Sequence, residues 1–352
     1  MTSPLPAGEP ETTTSEGRPR ATRTLAGLGF VVLVAALATW LGALVPVVGG
    51  PVFGIVMGAL LAALIRPGAT IRAGAGFAGK RVLQASIVVL GSGLSLTQVL
   101  TVGASSLPVM LGTLVVALGG AWLFGRLLRV SGDVRTLIGV GTGICGASAI
   151  AATTAVIGAT DAEVAYAIGT IFTFNIAAVL LYPTLGHLIG LSQHAFGLWA
   201  GTAINDTSSV VAAAYTYGAA AGAYGVVVKL TRTLMIIPIS LALSAITARK
   251  TTTADGQTAR ARLPWRRLVP LFLIGFIAAS AINTIGVIPT VWHPVLNSAA
   301  LFMITVALTG IGLSTRVATI RAAGHRPLLL GAILWALVGA TSLLLQWATG
   351  TL

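Results

Sequence analysis

Asp206, Lys229 and Arg232 stand inside segments otherwise apolar enough to lie in lipid. A charge there is expensive unless it is paired, solvated or in use. Lys229 and Arg232 are three residues apart and share a helix face. The guanidinium can fork two hydrogen bonds onto an oxyanion while the ammonium adds a point charge. Asp206 has three roles open to it: a protonated hydrogen-bonding acid, a partner of Lys229 or Arg232, or the carrier of a coupling proton or sodium ion. A buried ion pair that only fixes two helices is the plain alternative.

Two glycine-interrupted polar stretches accompany these charges. The first holds Gly141, Thr142, Gly143, Ile144, Cys145, Gly146 and Ser148; the second holds Gly201, Thr202, Asn205, Asp206, Thr207, Ser208 and Ser209. Glycine permits unwinding, and small hydroxyls can satisfy freed amides within a membrane. Broken helices whose N-terminal ends met here would present amides and positive dipole ends to an anion. Residues 141–158 also resemble 201–218 through Gly141, Thr142, Ile144, Ser148, Ala152 and Gly158 against Gly201, Thr202, Ile204, Ser208, Ala212 and Gly218. As crossing helices with one helix between them, the two stretches would run parallel, so either one is re-entrant or the similarity is fortuitous. Two further stretches, Gly91–Ser95 and Gly310–Ser314, are equally well read as close helix packing through small residues. Cys145 reads as a small packing residue, and as a lone cysteine it excludes an intramolecular disulfide.

The elements that must position these residues are membrane helices. The chain is 56% hydrophobic and 8% charged, with mean hydropathy +0.95, so it is an all-α integral membrane protein. Apolar stretches predict about eleven transmembrane helices: 25–45, 47–65, 82–100, 107–127, 137–159, 163–182, 194–215, 222–245, 268–285, 295–313 and 327–348. Residues 1–23 form a polar tail expected to be disordered and cytoplasmic, and 24–350 the polytopic domain. The linker 251–262 is a second polar stretch. The net charge of +13 does not point to nucleic acid, because the basic residues fall in alternate loops: Arg18 to Arg23, Arg66 to Arg81, Arg126 to Arg135, Arg249 to Arg267 and Arg316 to Arg326. A cytoplasmic N-terminus and an extracytoplasmic C-terminus satisfy the positive-inside rule. Trp40, Trp122, Trp199, Trp292, Trp335 and Trp347 suit an aromatic belt, and His187 and His194 an interfacial position.

The chain also repeats itself. Residues 91–121 realign without a gap onto 310–340 with eleven identities, among them Gly91, Leu94, Ser95, Pro108, Gly112 and Gly120 against Gly310, Leu313, Ser314, Pro327, Gly331 and Gly339. A shift of seven helices makes the copies antiparallel, an inverted repeat of the kind that supports alternating access in secondary transporters.

Three motifs carry a family resemblance. Gly143-Ile-Cys-Gly-Ala-Ser-Ala-Ile-Ala-Ala-Thr, the run from Leu191 to Ala213, and Val228-Lys-Leu-Thr-Arg-Thr-Leu-Met-Ile-Ile-Pro resemble the YeiH-type sulfate exporter family of bacterial inner-membrane proteins, over essentially residues 25–350. The resemblance implies a fold related to cation/proton antiporters and anion transporters, with a panel domain and broken crossing helices, and it implies transport. Members commonly carry His-Asp where this chain has Asn205 and Asp206.

The expected function is therefore secondary active transport of a small, sulfate-like anion across the inner membrane. Lys229 and Arg232 supply charge, and Gly143, Cys145, Gly146, Ser148, Thr202, Asn205, Asp206, Thr207 and Ser208 complete the site. The alternative is a cation/proton antiporter using Asp206, weakened by the lack of a second carboxylate. A hydrolase built on Ser208 or Ser209 with His194 and Asp206, and a passive channel, are the other classes. No nucleotide loop, haem motif or metal-ligand cluster is visible, so no cofactor is expected, and energy would come from an ion or substrate gradient. Analogy of fold suggests a homodimer.

Overall fold

The computed structural model describes residues 20–44, 49–251, 271–314 and 324–352. Most of the N-terminal tail, the linker 252–262, and Arg316 and Arg321 lie outside the described residues. The chain is a multi-pass, all-helical membrane protein, with no strand among the described residues. Among the described residues, six helical segments are long and apolar enough to cross a bilayer: 21–44, 96–127, 161–188, 219–243, 290–314 and 325–349; Gly49–Ile65 and Leu271–Thr284 are shorter apolar helices.

The helices form two bundles. In the first, α1 (Arg20–Leu44), α2 (Gly49–Ile65), α3 (Ala69–Phe77), a π-helical turn (Ala78–Val82) and α4 (Leu83–Gly91) pack together. The second begins with α5 (Leu96–Leu127), α6 (Gly132–Gly143), α7 (Ala147–Ile157) and α8 (Asp161–Leu188). It continues with α9 (Gln193–Ala203), α10 (Thr207–Tyr217), α11 (Ala219–Thr233) and α12 (Ile236–Thr251). The chain then returns to the first bundle with α13 (Leu271–Thr284) and α14 (His293–Ser314), and closes the second with α15 (His325–Thr349). Small residues set the tightest seam: a Cβ on Gly58 or Gly310 would meet backbone atoms of α14 or α3. At Gly310 close packing is the observed role, whereas Ser92 to Ser95 form the turn between α4 and α5. The helix expected at 82–100 instead runs without interruption from Ala69 to Gly91, with Lys80 and Arg81 inside it rather than in a loop.

The segments 137–159 and 194–215, expected to cross, do not. The Tyr217 hydroxyl at the end of α10 donates to the Leu191 carbonyl at 2.5 Å, just before α9 begins. The Tyr217 ring also stacks on Phe196 with centroids 3.8 Å apart. The chain therefore enters along α9, turns at 204–206 and returns to the same face. The α6–α7 pair does likewise: Val130 and Val134 share a core with Ile157, Ala159 and Val164. Between the hairpins α8, about 42 Å long at 1.5 Å per residue, crosses the membrane, so the two enter from opposite faces. Their breaks fall sixty residues apart, in register with the similarity between 141–158 and 201–218, and the orientation conflict disappears.

Replacing two crossings by two hairpins preserves parity, but it moves Asp161 and Glu163 to the face that carries Arg126 and Arg135. Cysteines placed at Arg126 and Asp161 are expected to react with a membrane-impermeant maleimide from one side, and cysteines at Ile189 and Ala219 from the other. Reaction of the Arg126→Cys and Asp161→Cys variants from opposite sides would restore the crossing topology. The native Cys145 is buried and gives no background.

Candidate functional site

Both hairpin tips are built by residues that stop a helix. At the first, Gly146 takes φ +68°, which an L side chain rarely adopts, and a Cβ there would sit 3.4 Å from that of Asp206. At the second, Ile204 is extended (φ −83°, ψ 136°), and Asp206 N-caps α10, its carboxylate accepting from the Ser208 amide at 3.0 Å and from the Ser208 hydroxyl. The Asp206 amide donates to Asn175 Oδ1, in the middle of α8, at 3.2 Å.

The last carbonyls of any helix lack intrahelical partners, and here two such ends, those of α6 and α9, meet inside the membrane. Lys229 and Arg232 satisfy them. Lys229 Nζ donates to the Ile144 carbonyl at 2.7 Å and the Ile204 carbonyl at 2.8 Å. Arg232 donates from Nε to Gly143 at 2.6 Å and from Nη2 to Thr142 at 3.0 Å, and from Nη1 to the Thr202 carbonyl. Both side chains are completely buried. They face the negative ends of two helix dipoles, and no carboxylate among the described residues is hydrogen-bonded to them.

The sequence-derived residues thus converge, but not all in the roles expected. Gly143, Cys145, Gly146, Thr202, Asn205, Asp206, Lys229 and Arg232 meet where the two tips touch. Lys229 and Arg232 are not hydrogen-bonded to Asp206; they hold backbone carbonyls, while Asp206 holds the start of α10. Thr202 turns its hydroxyl away, to Ser342 at 2.7 Å. Ser148 is exposed at the first turn of α7, and Thr207 and Ser208 are half-buried. Asn205 is buried, and its Oδ1 has no partner among the described residues. His194 stacks on Tyr224 at the far end of α9 from Asp206, so no Ser–His–Asp grouping assembles. Trp199 is not in a belt: it is buried, stacks on Tyr182 at 4.2 Å and donates to the Gly339 carbonyl at 3.0 Å.

A cavity of about 330 Å³ lies beside the tips, between the bundles. Ser208 and Ser209 of α10 and Asn175 of α8 line one side; Ile55 of α2, Lys80 of the π turn and Ile311 of α14 line the other. Sequence reasoning missed Lys80 and Asn175. Lys80 reads as one of the loop cations because Arg81 adjoins it, and a π turn has no sequence signature. Asn175 could have been found as a lone amide in the middle of an apolar span. A larger cavity of about 660 Å³ opens at the opposite end of the interface, beside His187 and Tyr217. Between the two, Val211 and Ala212 of α10 share an apolar core with Ile304, Ala307 and Leu308 of α14.

Arg232→Ala leaves three buried carbonyls unpaired, each costing roughly 1–3 kcal/mol. It is expected to lower stability by about 3 kcal/mol or more, read as a loss of melting temperature in detergent. Arg232→Lys restores only part of this, because an ammonium cannot reproduce the planar fork. An unchanged melting temperature in Arg232→Ala would remove the guanidinium from the support of the tips.

The comparisons with known proteins agree with this architecture. The family model described as conserved hypothetical protein 698 matches residues 26–331. A UPF0324 membrane protein of Streptococcus pyogenes serotype M6 is 42% identical over 335 residues, covering 93% of this chain and 98% of the relative. Others are 42% identical in Streptococcus mutans serotype c, covering 93% and 97%, and 38% identical in Fusobacterium nucleatum, covering 93% and 98%. No solved structure matches the chain. With the family model spanning most of its length and relatives matched nearly end to end, the chain belongs to the UPF0324 family of membrane proteins, the family that the YeiH-type resemblance indicated.

Proposed function

We propose that the protein is a secondary transporter that carries a small anion across the membrane by alternating access. The observation that carries this proposal is the meeting of two opposed re-entrant hairpins at mid-depth beside a cavity that Lys80, Asn175, Ser208 and Ser209 help to line. Discontinuous helices of this kind place helix ends at a binding site without exposing backbone to lipid. Asp206 already caps the start of α10 and holds Ser208, so Ser209 on the same turn and the side-chain amide of Asn175 are the polar groups that this side of the cavity offers to an anion. Lys229 and Arg232 add positive potential from behind the tips while fixing them together.

An inverted repeat is part of the proposal. The segment α2 to α5 corresponds in order and offset to α13 to α15, and their packing is reciprocal: α2 lies on α14 and α13 on α4. The hairpins α6–α7 and α9–α10 form a second such pair. Two antiparallel halves allow the site to be reached from either face in turn. The Arg-rich face is assigned to the cytoplasm by the positive-inside rule. That puts the N-terminus inside and the C-terminus outside.

Purified protein in liposomes is expected to show saturable anion exchange, accelerated by unlabelled anion on the far side, in screens that include labelled sulfate and sulfite. Gly146→Val strains the left-handed residue and crowds Asp206, and it is expected to cut exchange by about tenfold or more in protein that still inserts and melts cooperatively. Flux that rises linearly without saturation would make the protein a pore. Sodium-dependent proton release without anion movement would transfer the function to cation exchange at Asp206.

A further inference from the structure

Lys80 is the feature that the proposed mechanism leaves unused. It stands about 16 Å along the axis from the start of α3, on the π turn whose Ala78 shares a core with Val31 and Ala35 in the middle of α1. Its side chain is exposed and lines the 330 Å³ cavity. Among the described residues it has no hydrogen-bond or ion-pair partner. π turns inserted in α-helices recur at functional sites, and a lysine at this depth is costly unless a water-filled cavity or a ligand receives it. The next residue, Arg81, turns elsewhere: with Phe77 and Ala85 it forms an exposed stripe at four-residue spacing.

We propose that Lys80 is the anchoring cation of the substrate site, and that its ligand is a small organic monoanion, a carboxylate or sulfonate head on a short apolar body. This rests on the transport function proposed above. One ammonium lines the cavity, so one negative charge is matched there. On the opposite wall the amide and hydroxyl of Ser208 are already held by the Asp206 carboxylate and are not left for a second charge. The remaining wall is largely apolar, including Ile55, Phe172 and Ile176. It would strip water from an inorganic dianion without replacing the lost hydrogen bonds, whereas it suits a hydrocarbon body. The cavity is several times larger than a tetrahedral oxyanion and at the small end of organic-ligand pockets. A cation would meet the charge of Lys80. Because Lys80 and Ser208 belong to different bundles, a ligand that touches both ties the bundles together.

The test is counterflow of labelled 1-propanesulfonate in proteoliposomes, with butyrate and sulfate as competitors. The wild type is expected to exchange 1-propanesulfonate, with butyrate competing at lower concentration than sulfate. Lys80→Gln is expected to reduce exchange about tenfold or more, the loss of one charge-assisted hydrogen bond. Lys80→Arg retains most of it, and Arg81→Gln, the same change of charge on the outer stripe, leaves it unaltered. If sulfate is exchanged while 1-propanesulfonate is not, or if Lys80→Gln exchanges like wild type, this inference fails and the transporter stands. If no anion is exchanged and none raises the melting temperature, both fail. Should Lys80→Gln not insert, the competition order in the wild type decides alone.

Discussion

Two helices end in the middle of a membrane, and the carbonyls at those ends must find donors where there is no bulk water to supply them. Everything else in the core follows from how this is solved. The donors come from one turn of α11, where Lys229 and Arg232 share a face, and α11 can deliver them because it runs parallel to α9: Gln193 Oε1 accepts from the amides of Ala220 and Ala221, and Gly201 packs on Val228 farther in. The glycines of α9 are what let the helices approach, since a Cβ on Gly197 would sit 2.8 Å from the Ala221 carbonyl oxygen. Helix α11 then stops one residue after Arg232. Its cations therefore lie at a third break, level with the other two.

The same arrangement divides the charges of the site by position. Negative helix ends are faced by Lys229 and Arg232, and the positive end of α10 is faced by Asp206 as its N-cap. Lys229, Arg232 and Asp206 are thus each matched to a backbone end rather than to one another. Charges matched to helix ends keep the tips in one geometry, because a carbonyl cannot rotate away as a carboxylate side chain can. The cavity beside the tips is left with hydroxyls, an amide and one lysine, groups able to bind and release a ligand without dismantling the fold.

Much of this was legible in the sequence, and the part that was not has a physical cause. The polar stretches around Gly146 and Asp206, and the cations Lys229 and Arg232, stood out because charge and glycine are rare in lipid-facing helices. Their apposition was visible; the direction of their hydrogen bonds was not, since an Arg three residues from a Lys suits an oxyanion and a pair of carbonyls equally well. Hydropathy could not separate a crossing helix from a re-entrant hairpin, because both occupy some twenty-odd apolar residues. The internal similarity between 141–158 and 201–218 did carry the answer: as crossings the two segments had to be parallel, and as hairpins entering from opposite faces they do not. The reverse error occurred at Lys80 and Arg81, where adjacent charges resembled a loop although the helix runs through them.

How the bundles meet bears on what can move. Within the first bundle, α2 and α14 approach through Gly54 and Gly58 against Thr309, a contact close enough that sliding would create clashes. Within the second, the cations cross-link both tips to α11. Between the bundles the Leu96 amide at the start of α5 donates to Thr284 Oγ1 of α13 at 2.6 Å, but the α10 seam is of another kind: Val211 and Ala212 meet Ile304, Ala307 and Leu308 across a surface of short aliphatic side chains, with no hydrogen bond among the described residues joining α10 to α2 or α14. A seam without directional bonds of its own loses little when it shifts register, whereas each tip would lose several buried hydrogen bonds. The apolar seal between the two cavities is therefore the place where the structure resists displacement least, and the hairpins with their cations move, if at all, as one body.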